Sequence, residues 1–284
     1  MVRLGVHVSV AGGVERAVVR ALERGCDAFQ IFSSNPRGWR SKPIQRETAE
    51  RFIAQLSQSG LSPAVDHMPY LPNIASTRNE VHARSVQALT DELVRCQMLG
   101  IPYLVTHLGS HLGAGRTEGL ARIEEALKTA TNGSKSNTIL LLENSAGTKN
   151  SMASTFSDIA EILDLLPEET GRLGVCLDTC HLHAAGYDLR DRSALEATLD
   201  QFQEEIGLKS LKLIHLNDCR GQLGAHLDRH EHIGLGQIGL NGFAAILSHP
   251  YLAELPMILE TPVDSRRDDR GNLEVARRLA SGIK

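Results

Sequence analysis

The 284-residue chain is 42% hydrophobic and 23% charged with only 4% aromatics, which fits a globular core of Leu, Ile, Val and Ala and excludes a low-complexity chain. No apolar run is long enough to span a bilayer, and the opening VRLGVH lacks the basic region and apolar core of a signal peptide, so a cytoplasmic protein without a membrane partner is expected. The net charge of −4 argues against nucleic acid on bulk charge, but three divalent ions would bring it to +2, and their charge would sit inside one site.

Taken in order, short apolar runs alternate with helix-period segments. Strands are expected at 4–9, 28–33, 63–67, 103–108, 138–144, 173–179, 211–217 and 257–261. Helices are expected at about 13–24, 46–59, 78–99, 117–131, 154–166, 191–206, 241–248 and 266–281, with Thr117, Asp191 and Asn241 as N-terminal caps. Eight strands, each followed by a helix, close naturally into a (β/α)8 TIM barrel, a single domain over 1–284. A doubly wound open sheet is the alternative, but it usually carries fewer strands. The long connection 218–240 stands out, and long loops in compact domains usually carry function. The five cysteines, at 26, 96, 176, 180 and 219, are an odd number without a CxxC pair and read as reduced packing residues.

The strand ends carry the chemistry. The third ends at His67, the fourth at His107, the fifth at Glu143, the sixth at Asp178, the seventh at His215 and the eighth at Glu260. In a closed barrel these ends form one rim, where barrel enzymes place their active sites. Carboxylates converging there repel one another unless protons or metal ions neutralise them. The stretch 211–236 adds more: four of the twelve histidines lie in it, and His226, Asp228, His230 and His232 alternate strictly. Residues two apart in an extended segment point the same way, so Asp228 and His230 can reach one ion together. With His181 the candidates number nine: His67, His107, Glu143, Asp178, His181, His215, Asp228, His230 and Glu260. A single catalytic zinc takes three protein ligands. Nine would furnish a cluster of two or three ions, whose usual use is phosphoryl transfer. His7, His111 and Asn217 are candidates to hold ligands from behind, since a metal-bound imidazole usually donates its other N–H to a neighbour. His183, His226, His232 and His249 are expected in solvated or packing roles.

The segments GVHVSVAGG, FSSNPRGW, HMPYLPNIAS, HLGSH, LLENSAG, CLDTCHLHAAGYD, HLNDCRG, DRHEHIGLGQIG and ILETP together resemble the endonuclease IV family of apurinic/apyrimidinic endonucleases, in order and over essentially the whole chain. The resemblance implies a TIM barrel with three Zn2+ ions, Mn2+ being acceptable at one site. It implies a monomer acting on double-stranded DNA with abasic sites or blocked 3′ ends, cut 5′ to the lesion to leave a 3′-hydroxyl and a 5′-deoxyribose phosphate. Carried over by position, it gives His67, His107 and Glu143 to the first zinc. Glu143, as a bridge, joins Asp178, His215 and Glu260 at the second, and His181, Asp228 and His230 take the third. Glu143 is then the catalytic residue, helping to take a proton in an in-line hydrolysis. Arg37, Tyr70 and Leu71 match positions that enter the duplex at the lesion, where an Arg and an aromatic can fill the gap left by a missing base. Trp39, the one tryptophan, reads as a packing anchor for the Arg37 loop. Leu235 departs from the pattern, standing where many relatives have an acidic residue, outside the nine ligands.

Two other classes compete. A divalent-metal sugar isomerase or epimerase on the same barrel would use one or two metals, and His181 with Asp228 and His230 would be surplus to it. A catalytically silent DNA-lesion binding protein would have no chemical need for all nine side chains.

Overall fold

The computed structural model describes residues 2–39, 42–169 and 171–282. In chain order the strands are β1 (Arg3–His7), β2 (Ala28–Ile31), β3 (Ala64–His67), β4 (Tyr103–His107), β5 (Ile139–Glu143), β6 (Leu173–Asp178) and β7 (Leu211–His215), then the hairpin strands β8 (Asp218–Cys219) and β9 (His230–Glu231), and last β10 (Pro256–Leu259). Strands β1 to β7 and β10 close a barrel in the order β1-β10-β7-β6-β5-β4-β3-β2. Every neighbouring pair is parallel. The expected TIM barrel is therefore what forms, and the open doubly wound sheet is excluded.

The helices are α1 (Arg16–Arg24), α2 (Arg46–Ser59), α3 (Asn79–Leu99), α4 (Arg116–Ser134), α5 (Phe156–Asp164), α6 (Thr179–Ala185), α7 (Arg192–Glu205), α8 (Gly239–Ser248) and α9 (Asp269–Ala280). Asp191 caps α7 as expected, its side chain accepting from the Ala194 N–H. The other two expected caps are corrected. Helix α4 starts one residue before Thr117, after Gly115, and α8 starts two residues before Asn241, after Ile238. One helix was not anticipated: α6 begins directly after Asp178, whose side chain caps it by accepting from the His181 N–H. None of the described helices is long and apolar enough to cross a membrane.

Two apolar layers hold the fold. The larger lies between strands and helices and contains most of the buried Leu, Ile, Val and Phe. The smaller fills the barrel interior with Ala28, Val65, Val105, Leu141, Cys176, Leu213 and Ile258, one from each of seven strands. Gly5 of β1 pairs in register with both Ala28 and Ile258. A Cβ on Gly5 would lie 1.9 Å from the Ala28 carbonyl oxygen, so only glycine lets the barrel close there. All five cysteines are free and buried, as the packing reading requires.

Candidate metal centre

Moving two residues along each strand from the interior apolar layer reaches side chains on the same inward face. From Gly5, Ala28, Val65, Val105, Leu141, Cys176, Leu213 and Ile258 this step lands on His7, Gln30, His67, His107, Glu143, Asp178, His215 and Glu260. The site is thus the top layer of the barrel interior, one residue per strand. Six of the nine candidate ligands belong to it. The other three, His181 from the first turn of α6 and Asp228 and His230 from the hairpin, close over it.

Glu143 is the hub. Its carboxylate lies 3.2 Å from His67 Nε2 and 3.1 Å from His215 Nδ1. His181 Nδ1 is 3.4 Å away and His107 Nδ1 3.5 Å. His107 stands at the edge of the group, with 41% of its side chain exposed. Asp228 Oδ1 is 3.3 Å from His181 Nε2 and 3.6 Å from His230 Nε2, so the alternation argument for Asp228 and His230 holds. It does not extend to the two flanking histidines. His226 adopts a left-handed backbone, which breaks the extended run, and its ring faces the Ala146 carbonyl at 3.2 Å. His232 is fully buried against Asp264 at 3.1 Å and Asn272 at 3.0 Å, a packing rather than a solvated role.

Hydrogen bonds orient four of the rings. His67 Nδ1 lies 2.7 Å from the Met68 carbonyl, His181 Nδ1 2.9 Å from the Asn144 carbonyl and His230 Nδ1 3.0 Å from the Glu260 carbonyl. His215 Nε2 lies 2.9 Å from the amide oxygen of Gln30. Each of these oxygens can only accept, so each of these nitrogens carries the proton. In the neutral ring the opposite nitrogen then presents a lone pair inward, toward Glu143, Asp178, Asp228 and Glu260. His230 Nε2 is buried there with no hydrogen-bond partner among the described residues, 3.5 Å from Asp178 Oδ2. Lone pairs facing carboxylate oxygens repel, and a cation between them removes the repulsion. Imidazole nitrogens mixed with carboxylates, four of the five rings held from behind by a carbonyl oxygen, are the donor set and the support of a zinc-type site. Among the described residues, candidate donor atoms converge within 4.8 Å of one another in four groups: His67–Glu143–His215, Asp178–His215–Glu260, Asp178–His181–His230 and Cys180–Asp228–His230.

Protons compete with a cation for the same inward nitrogens. Burial favours the neutral ring of His181, yet Asp178, Asp228 and Glu143 outweigh it and push the ring up to about 10. Burial likewise opposes charge on His67, His215 and His230, yet all three are raised: His215 by Cys176 and then Glu260 and Glu143, His67 by Glu143 and Glu260, and His230 by Asp178 and Glu260. Burial would raise Glu143, but His107, His215 and His67 hold it well below the usual carboxylate range. Glu260, against the same pull of burial, is held at about 2 by His215 and His67. His7 and His107 are the exceptions: desolvation lowers both, His7 to about 4, where it is neutral.

Behind the ligands, Asn217 donates from Nδ2 to Asp178 Oδ2 at 2.7 Å and accepts the Glu260 N–H at 2.8 Å, as expected for a supporting residue. His7 touches Glu260 at 3.9 Å and Gln30 at 3.2 Å. His111 is corrected: it accepts the N–H groups of Gly113 and Gly115 and organises the approach to α4 instead. Gln30 was missed by the reading of metal-competent residue types. The signal that finds it is positional, two residues beyond Ala28 on the inward face of β2.

A cavity of about 490 Å3 opens above this layer, walled by Phe32, Tyr70, Arg229 and Val263 as well as by the histidines. Tyr70 is 67% exposed, Leu71 is also exposed, and Tyr70 meets Phe32 edge-on at 5.1 Å. The Tyr70 N–H donates to the Pro36 carbonyl at 3.3 Å, which ties this loop to the one carrying the exposed Arg37. Trp39 lies under the Arg84 guanidinium of α3, 4.4 Å from ring to Cζ, consistent with an anchor. Beneath both loops, Arg95 of α3 donates from Nε to Ser33 Oγ at 2.9 Å, from Nη1 to the Lys42 carbonyl at 2.8 Å and from Nη2 to the Ser33 carbonyl. Ser33 in turn donates to Glu92 at 2.7 Å, and Asp66 accepts the N–H groups of Ser33 and His67.

A family described as xylose isomerase-like TIM barrels matches residues 18–281. Probable endonuclease 4 of Methanoculleus marisnigri is 53% identical over 99% of both chains, and that of Cenarchaeum symbiosum 50% identical over 98% of this chain and 99% of its own. The crystal structure of endonuclease IV from Thermus thermophilus superposes with a TM-score of 0.88 at 36% identity, covering 99% of each chain. A D-tagatose 3-epimerase-like protein superposes with a TM-score of 0.74 at 18% identity, over 99% of this chain and 98% of its own, a likeness of fold alone.

Proposed function

Because the chain belongs to the endonuclease IV family, a family of DNA-cleaving hydrolases, we propose that it is a zinc-dependent deoxyribonuclease that hydrolyses the phosphodiester 5′ to an abasic site in duplex DNA. The products are a 3′-hydroxyl and a 5′-deoxyribose phosphate, and 3′-blocking groups are removed by the same chemistry. The observation that carries this reading is the convergence of inward imidazole nitrogens on Glu143, Asp178, Asp228 and Glu260, with His230 Nε2 buried and without a hydrogen-bond partner among the described residues.

We assign three Zn2+ to the nine residues: His67, His107 and Glu143 at the first, Glu143, Asp178, His215 and Glu260 at the second, and His181, Asp228 and His230 at the third, with Mn2+ acceptable at one. When bound, such ions supply Lewis-acid activation of water and neutralise charge developing on the phosphate. Glu143 helps to take the proton of the attacking water. The Asp178 carboxylate is held by the Asn217 amide on one oxygen and the His181 N–H on the other, so it does not swing during turnover. Tyr70 and Leu71 enter the duplex beside the lesion with Arg37, and the cavity beneath them receives the baseless sugar. The protein acts as a monomeric single domain over residues 1–284, in the cytoplasm.

A sugar epimerase is the competing reading on the same fold. Such an enzyme has no use for the His181–Asp228–His230 set, whose side chains lie within 3.3–3.6 Å of one another through Asp228. The test is a labelled duplex carrying one tetrahydrofuran analogue, which cannot undergo β-elimination. A nick on its 5′ side, lost on metal stripping and restored by zinc, is the expected result. No nick by zinc-replete protein, with turnover of a ketose instead, overturns the proposal.

A further inference from the structure

Gln30 has no place in the ligand set, yet it is completely buried in the ligand layer. Its amide meets three of that layer's residues. The oxygen lies 2.9 Å from His215 Nε2, and the nitrogen lies 2.6 Å from Glu260 Oε1 and 3.2 Å from His7 Nδ1. This orientation is the one the neighbours allow. Turned over, the amide would set its oxygen 2.6 Å from a carboxylate oxygen, acceptor against acceptor.

Two consequences follow from one side chain. His215 must carry its proton on Nε2, which leaves the Nδ1 lone pair facing Glu143 at 3.1 Å, Glu260 Oε2 at 3.4 Å and Asp178 at 4.0 Å. Glu260 has Oε1 occupied, so Oε2 is the oxygen turned inward. The amide therefore sets the tautomer of one member and the rotamer of another in the Asp178–His215–Glu260 group. The supports of His67, His181 and His230 are backbone carbonyls, which no side-chain substitution removes.

We propose that Gln30 is a positioning residue for the divalent cation held by Asp178, His215 and Glu260, and that its amide sets the affinity of that position. This rests on the metal-centre reading above. Glutamate at 30 would keep the shape but oppose Glu260 with a like charge. Methionine would keep the volume but leave the His215 Nε2–H without an acceptor and free the ring to change tautomer.

The experiment is a chelator competition on zinc-loaded wild type, Gln30→Met and Gln30→Glu, with zinc counted per chain and thermal melts run alongside. Both variants should release one zinc at a 10- to 100-fold lower chelator concentration, the usual cost of removing a ligand's support. On the tetrahydrofuran duplex, kcat should fall in step while KM stays within about twofold, and excess zinc should restore kcat of Gln30→Met. Wild-type zinc stoichiometry and chelator resistance in both variants would overturn the role of Gln30, whatever their activity. A wild type that binds no zinc would overturn the metal-centre reading itself, and with it this proposal. Should the variants not fold, nitrogen-15 NMR of the zinc-loaded wild type decides: the Nε2–H tautomer at His215 supports the assignment and the Nδ1–H tautomer refutes it.

Discussion

Replacing Arg95 by methionine should unfasten the loop that presents Arg37. The guanidinium holds Ser33 and Lys42, the two ends of that segment, and lies 3.5 Å from Glu92, with the arginine side chain 10% exposed and that of Glu92 4%. Methionine fills the alkyl volume but removes three hydrogen bonds from a charged donor. Charge-assisted bonds contribute about 1.5–3 kcal/mol each. Glu92, pushed up to about 8, already holds its proton near pH 7 and is not left as a bare charge, so the net loss should be about 3–5 kcal/mol, set by the buried Ser33 oxygens losing their charged donor. That is a large part of a stability typically of about 5–15 kcal/mol. Denaturant unfolding of zinc-loaded protein measures it directly, and an unchanged m-value shows that the loss is local to the native state. Affinity for an abasic duplex should fall about tenfold, near 1.4 kcal/mol, because the loop must be ordered on binding. The Arg95→Met/Glu92→Met double variant removes the charged donor and its carboxyl neighbour together and should recover most of the stability, since replacing both partners of a buried polar contact by apolar groups of similar shape is often nearly neutral. A single-variant loss under about 1 kcal/mol, or a double variant no better than the single, would refute the reasoning.

Burial, followed by the nearby charge of Asp66, pushes Glu92 up to about 8 from an ordinary value of 4.5. A raised folded-state value means the native state holds the proton more tightly, so this stabilisation is full below about 4.5 and is lost as pH rises through about 8. Unfolding midpoints should therefore decline from pH 6 to 8.5, and Glu92→Gln should flatten that decline; an unchanged slope would sink the account. Asn217→Ala leaves the Glu260 N–H and one Asp178 oxygen without partners. It should cost about 2–4 kcal/mol and reduce zinc retention, read by denaturation and metal analysis. Gly5→Ala drives a methyl into the Ala28 carbonyl and should cost about 3 kcal/mol or more, or give insoluble protein; a melt within a degree of wild type would contradict the barrel register. Tyr70→Ala, at a 67% exposed position, should change stability by less than about 0.5 kcal/mol. The same variant should weaken abasic-duplex binding by roughly 1–3 kcal/mol in a titration, and equal binding would remove Tyr70 from the DNA contact set.

Much of the site was legible in the sequence because it is built on local periodicity. His67, His107, Glu143, Asp178 and His215 each end a strand, with Glu260 one residue beyond the last, and the period of two that makes a strand also states which residues share its inward face. The pairing of Asp228 with His230 follows from the same rule. The rule fails where the backbone leaves the extended region: a left-handed turn at His226 takes it out of the series. Helix α6 was illegible because seven residues carry too little amphipathic pattern, and its start depends on the Asp178 cap. The caps at Thr117 and Asn241 were displaced because the helices begin earlier, after Gly115 and Ile238.

What the tertiary structure alone decided is which side chains meet across strands. Gln30 and Glu260 are 230 positions apart, and no local pattern connects them. They touch because closure brings β1 between β2 and β10, and because Gly5 lets those strands approach. Sequence periodicity assigns a side chain to a face, but the register of a closed barrel sets its partners, and with them the tautomer of His215 and the oxygen that Glu260 turns inward.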